Sequence, residues 1–104
     1  MTWSVSEAEI SYQTLLSWRR EHRPLLLVDV REAFEREAGH IGGLWIPLGE
    51  LPSRLPEIDQ GVPIVFYCRK GVRSLIAIQR LHHRLPGTPL YSLKKGLQSL
   101  MLND

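Results

Sequence analysis

Apolar and polar positions along the chain follow two rhythms. Glu9-Ile10 fits a short first strand, and Ser11 then suits a helix N-cap, with Tyr12, Leu15 and Leu16 on one helical face. Pro24 ends that segment. Leu25-Leu26-Leu27-Val28-Asp29-Val30 is almost continuously apolar, as expected of a strand covered on both faces. Arg31 to Ala38 has helical propensity, stopped by Gly39. Leu44-Trp45-Ile46 predicts a short strand before Pro47, and a short helix fits within 48–55. Val62 to Tyr67 is a second buried strand, with Pro63 near its start, where proline is tolerated. Leu75, Ile78, Leu81 and Leu85 recur at steps of three or four and predict a helix over Arg73 to Leu85. Pro86-Gly87-Thr88-Pro89 reads as a turn, Leu90 to Leu93 as a last strand and Gly96 to Leu102 as a closing helix. Strands alternating with helices point to a parallel α/β sheet.

The 104 residues suit one domain spanning 1–104, with 43% hydrophobic and 23% charged residues, an ordinary globular composition. Apolar runs of four or five residues are too short to span a membrane. Met1 to Glu7 has neither a basic start nor an apolar stretch, so it does not read as a secretory signal, and a cytoplasmic location is expected. Charge is uneven beneath a net +2. Residues 1–59 carry ten acids against six Lys or Arg, whereas residues 60–103 carry seven Lys or Arg and no acid. A basic half attracts anions, which favours an anionic substrate.

One cysteine, Cys68, rules out an internal disulfide or a Cys-x-x-Cys metal site. Such a thiol is either a small core residue or a nucleophile, and its context decides. Tyr67-Cys68-Arg69-Lys70-Gly71-Val72-Arg73-Ser74 leaves a buried strand and opens a helix. In open α/β sheets, ligands bind beyond the C-terminal strand ends. Three cations, Arg69, Lys70 and Arg73, lie within five residues of Cys68. Nearby cations and a helix N-terminus favour the thiolate, the nucleophilic form of cysteine. Gly71 permits the left-handed turn that lets successive N–H groups converge on an anion. A cysteine after a strand and a cationic run each carry little alone; their coincidence with this glycine selects the catalytic reading.

These residues resemble the rhodanese family, whose active loop reads Cys-x-x-Gly-x-Arg-Ser in many single-domain members; Cys68, Gly71, Arg73 and Ser74 match. Asp29-Val30-Arg31-Glu32, then Gly39-His40-Ile41, Gly43 and Pro47, look like a second family signature, and Tyr91 to Gly96 resembles the final strand and turn. Leu44, Lys95 and Leu100 depart from the pattern, standing where alanine, glycine and an aromatic residue are usual. The resemblance implies a five-stranded, mostly parallel sheet flanked by helices on both faces. It also implies a thiosulfate sulfurtransferase that passes sulfur through a Cys68 persulfide to cyanide, a thiol or a thioredoxin-like protein. Arg69, Lys70, Gly71, Val72 and Arg73 would bind the anionic donor, with Ser74 supporting the loop; Asp29, at a strand end near the same edge, either supports that loop as well or pairs structurally with a backbone N–H or a cation. Alternatives are a sulfur-relay or interaction module with a protein donor, and a cysteine phosphatase. The latter's loop places five residues before its arginine, where four separate Cys68 from Arg73.

No Walker loop, dinucleotide fingerprint or zinc spacing is present, so no cofactor or metal is expected, and no nucleic-acid or membrane partner. His40 fits a structural hydrogen bond. Adjacent His82 and His83 cannot share a helix face. Trp45 suits either a pocket wall or packing, and Trp3 and Trp18 indicate nothing specific.

Overall fold

A computed structural model describes residues 5–101, and side chains 7–100. Trp3, most of the N-terminal stretch weighed as a leader, and Leu102 lie outside the described residues. The elements in order are α1 (Val5–Ala8), β1 (Glu9–Ile10), α2 (Tyr12–Arg20), β2 (Leu26–Asp29), α3 (Ala33–Ala38), β3 (Leu44–Trp45), two 3-10 segments (Leu48–Glu50 and Pro52–Glu57), β4 (Ile64–Tyr67), α4 (Val72–Leu81), β5 (Leu90–Leu93) and α5 (Gln98–Met101).

The five strands form one sheet in the order β1-β5-β4-β2-β3, and each adjacent pair is parallel. Side chains alternate across the two central strands and divide the core in two. On one face Val28, Ile64 and Phe66 pack with Ala77, Ile78 and Leu81 of α4 and with Leu51 and Ile58 of the 3-10 region. On the other, Leu27, Val65 and Tyr67 pack with Leu15 and Trp18 of α2. Burial on both faces explains why β2 and β4 read as unbroken apolar runs.

Ser11 caps α2 as its position suggests, its side chain accepting from Thr14 N–H at 3.1 Å. Strand and helix ends shift by one or two residues, as at α3, which starts at Ala33, and three larger differences stand out. The helix predicted to run to Leu85 ends at Leu81, capped by His82, although Leu85 stays in the core. The 48–55 region is 3-10, with Pro52 and Pro56 removing N–H donors from the backbone. The closing helix starts at Gln98 because Lys95 and Gly96 both take positive φ, 62° and 55°, and turn the chain first.

Strand order reverses between β2 and β4: β2 leads outward to β3, and β4 leads the other way to β5. A crevice opens at such a switch point, outside the strand ends. Asp29 closes β2 there, opposite Tyr67 in the register, and Cys68 follows Tyr67.

Candidate active site

Cys68 sits where β4 gives way to the turn into α4. Its side chain is recessed, with 1% of the residue exposed, and it joins the core cluster on the α4 face. It is nevertheless met by polar groups. Gly71 N–H donates to its Sγ at 3.1 Å, and Ser74 Oγ lies 3.6 Å from the same sulfur. Gly71 achieves this with φ 93°, the left-handed conformation anticipated for it. The first-turn N–H groups of α4 have no carbonyl within the helix to bond, and Gly71, the N-cap of that helix, is the residue whose amide meets the sulfur. A pocket over the thiol is lined by Cys68, Arg69, Lys70, Val72 and Arg73.

The cations do not behave alike. Arg69 and Lys70 are exposed, and neither forms an ion pair among the described residues. Arg73 instead turns toward α3, where its two terminal nitrogens meet the two oxygens of Glu35 at 2.7 and 2.8 Å. The hydrogen bonds of Arg73 hold the Glu35 carboxyl down to about 2, and Glu35 in turn raises the guanidinium. Glu35 also accepts from the Glu32 N–H at 3.1 Å, which ties it to the first turn of α3. The pair is a strut between the helices that follow β2 and β4.

Beneath the sulfur, Ser74 donates to the Gly71 carbonyl at 3.2 Å, and Ser92 of β5 lies 2.6 Å from Ser74. Both serines are fully buried. A hydroxyl has one proton, so Ser74 serves either the Gly71 carbonyl or the sulfur, with Ser92 available to donate in turn. The chain after β5 closes the loop from below: Leu97 N–H donates to the Cys68 carbonyl and Gln98 N–H to the Arg69 carbonyl, both at 2.9 Å. Gly96 is pressed against the same carbonyls, and a Cβ there would overlap the Cys68 oxygen.

Asp29 lies on the neighbouring strand end and serves a different loop. Its carboxylate accepts from the Arg31 N–H and from the Arg31 guanidinium at 2.9 and 3.0 Å, and Arg36 approaches at 3.4 Å. Burial alone would lower the Arg31 guanidinium, yet the hydrogen bonds and charge of Asp29 outweigh it and raise the group. Arg31 continues to the Gly39 carbonyl, and Tyr67 donates to the Gly42 carbonyl at 2.8 Å. His40 accepts from the Gly42 N–H at 2.9 Å, the structural role its turn suggested. Trp45 is tied by its indole N–H to the Arg31 carbonyl.

The structure thus brings Cys68, Arg69, Lys70, Gly71, Val72, Arg73 and Ser74 together and sets Asp29 in an adjacent network. Glu35, Ser92 and Gly96 were not singled out from sequence. Glu35 carried a faint signal as the third residue of a capping pattern behind Glu32, and Ser92 as a small polar residue in an otherwise apolar strand.

A parallel five-stranded sheet with a cysteine cradled between its central strand and a helix N-terminus defines the rhodanese class of fold. The family model for the rhodanese-like domain matches residues 11–102, and the chain belongs to that family. It is 43% identical over 83 residues to the uncharacterized protein YqhL of Bacillus subtilis, covering 78% of this chain and 64% of that one. It is 36% identical over 90 residues to a sulfurtransferase of Allochromatium vinosum, covering 86% of this chain and 83% of the relative. The human single-domain sulfurtransferase TSTD1 superposes with a TM-score of 0.76 at 27% identity, over 93% of this chain and 97% of that one. Besides its 64% of YqhL, the chain spans 23% and 21% of two longer relatives.

Proposed function

We propose that this protein is a sulfurtransferase in which Cys68 carries sulfur as a persulfide, with thiosulfate as a donor. The observation that carries the reading is the Gly71 N–H on Cys68 Sγ at the mouth of α4, in a pocket lined by two cations with no ion-pair partner among the described residues. Arg69 and Lys70 provide a landing site for a dianion. The Cys68 thiolate attacks the outer sulfur of thiosulfate, and the donor's sulfur–sulfur bond breaks with its electron pair leaving on sulfite. Cys68–S–S⁻ remains, its charge facing the Gly71 amide and the first turn of α4, as at an oxyanion hole. Cyanide or a thiolate then attacks the outer sulfur, and the new sulfur–sulfur bond breaks to return the Cys68 thiolate. This is two-step nucleophilic catalysis. A lone thiol with no disulfide partner suits a reducing compartment such as the cytoplasm.

Geometry disfavours phosphate-ester hydrolysis. A loop arginine that recognises phosphate offers its planar fork for two parallel bonds. In this protein both ends of the Arg73 fork already hold Glu35.

The test is intact mass measurement after thiosulfate treatment. The wild type is expected to gain one sulfur atom that a reductant removes, and Cys68→Ser to gain none. Cyanide-dependent turnover should fall by about a thousandfold or more in that variant, because the nucleophile itself is gone. Sulfur uptake or wild-type turnover by Cys68→Ser would end the proposal.

A further inference from the structure

The rim above Cys68 is more apolar than a small anion requires. Three large apolar side chains are exposed among the described residues, and two of them, Phe34 at 73% and Val72 at 62%, border this site. Val72 lines the pocket over the thiol. Phe34 lines an adjoining depression with Ala38 and Leu97, and Arg69 belongs to both. The Glu35–Arg73 pair joins the two walls, so the depressions form one continuous surface. Arg31, Arg69, Lys70, Arg73 and one acid, Glu35, line it, with Glu32 near enough to act on Arg73. Asp29 and Glu35 neutralise Arg31 and Arg73, which leaves Arg69 and Lys70 unpaired among the described residues.

A dianion of thiosulfate size uses cations and amides; a phenyl ring projecting into water does nothing for it. Exposed apolar side chains scattered singly are ordinary, whereas two that line adjoining depressions edged by unpaired charge match the make-up of a protein contact. The recess of Cys68 adds a constraint: an acceptor thiol must be delivered inward on a projecting segment.

We infer that this rim docks a thiol protein, through a segment that carries its acceptor cysteine between acidic side chains and lays an apolar side chain over Phe34 and Val72. The inference rests on the sulfur-transfer reading of Cys68 and names the class of acceptor. In the step it serves, the acceptor thiolate attacks the outer sulfur of Cys68–S–S⁻, the bond to Cys68 Sγ breaks, and Cys68 leaves as thiolate. The acceptor becomes the persulfide, and no oxidant is consumed. Acidic flanks complement Arg69 and Lys70, which steers encounter as well as orientation.

Two fluorescent peptides of about twelve residues test this, each with one cysteine and one leucine, flanked by glutamates in one and lysines in the other. From the persulfidated protein, kcat/KM for the acidic peptide should exceed that for the basic one by about tenfold or more, converging at about 0.5 M salt. Phe34→Ala should lower kcat/KM for the acidic peptide by about fivefold or more while cyanide turnover stays within about twofold, because Phe34 touches no reacting atom. Serine-for-cysteine versions of both peptides, followed by fluorescence anisotropy, should bind in the same order with no sulfur moving. Equal rates and affinities for the two peptides, or a Phe34→Ala protein that handles the acidic peptide like wild type, overturn the docking inference even with cyanide turnover intact. Ordered peptide binding without transfer to cyanide or any thiol overturns the sulfur-transfer reading and upholds the dock.

Discussion

Two loops leave neighbouring strands at the same end of the sheet and treat their polar groups in opposite ways. After β2, the Asp29 carboxylate, the Arg31 and Arg36 guanidinium groups, the Tyr67 hydroxyl and the carbonyls of Gly39 and Gly42 satisfy one another. After β4, the Cys68 sulfur receives one amide and sits near one hydroxyl, while Arg69 and Lys70 face outward unpaired among the described residues. Both loops are rich in charge, so charge alone does not mark the chemistry. The difference is whether donors are already used. The first loop is closed, its donors spent on its own acceptors; the second leaves Arg69 and Lys70 without an ion-pair partner among the described residues, and the Glu35–Arg73 pair joins the two.

Removing a charge from each loop should separate these roles. Asp29→Ala leaves the buried Arg31 cation without its partner, and an orphaned buried charge of this kind costs about 3–5 kcal/mol. Arg69→Ala removes an exposed cation and should shift stability by less than about 0.5 kcal/mol. It should raise KM for thiosulfate by about tenfold, since the donor's charge loses a contact. Urea unfolding and steady-state kinetics on the two variants read this directly. A destabilised Arg69→Ala with normal KM, or a stable Asp29→Ala with impaired KM, would invert the assignment of closed and open loops.

The open loop stays open only while its backbone is held from behind, and Gly96 is the point of closest approach. Its φ of 55° and the overlap of any Cβ with the Cys68 carbonyl leave no room for a side chain. Gly96→Ala should cost about 3 kcal/mol through strain and displaced backbone. It should also lower persulfide formation in the folded fraction, because the Leu97 and Gln98 amides would move off the Cys68 and Arg69 carbonyls. Thermal unfolding together with thiosulfate uptake by mass measurement checks both parts. A variant with wild-type stability and uptake would show that the segment after β5 does not position the loop.

The closed loop was the less legible of the two in sequence. Cys68, Gly71 and the following helix announce themselves within seven consecutive residues, because a strand end, a cation run and a left-handed glycine are local features. The two buried strands were equally plain, since burial on both faces writes an unbroken apolar run. Glu35 and Ser92 reach the site across 38 and 18 residues, and no local pattern fixes which partner they meet. Arg73 shows the cost of that blindness. By composition it joins Arg69 and Lys70 as a donor-binding cation, and only the fold, which brings Glu35 of α3 to Arg73 of α4, reveals that its fork is occupied. Lys95 shows the reverse: its family position favours glycine, and the backbone adopts the left-handed turn regardless, with φ 62°.

Glu35 and Arg73 link the two loops, so their ion pair tests how far the closed region supports the open one. The Glu35 carboxyl is held down to about 2 from an ordinary 4.5, first by the hydrogen bonds of Arg73. A carboxyl lowered in the folded state stabilises the fold above its unfolded pKa, and that contribution disappears as pH falls toward the folded value. With Glu35 only 11% and Arg73 31% exposed, solvent screening trims the pair without abolishing it. Glu35→Gln, which keeps the shape and removes the charge, should therefore be less stable than wild type by about 1–3 kcal/mol at neutral pH. The gap should hold steady down to about pH 5, narrow below it and close near pH 2, as the wild-type carboxyl takes up its proton. Urea unfolding of both proteins across that range measures it. A gap of constant size down to pH 2 would mean that the variant loses packing and not charge, and the strut would then be mechanical rather than electrostatic.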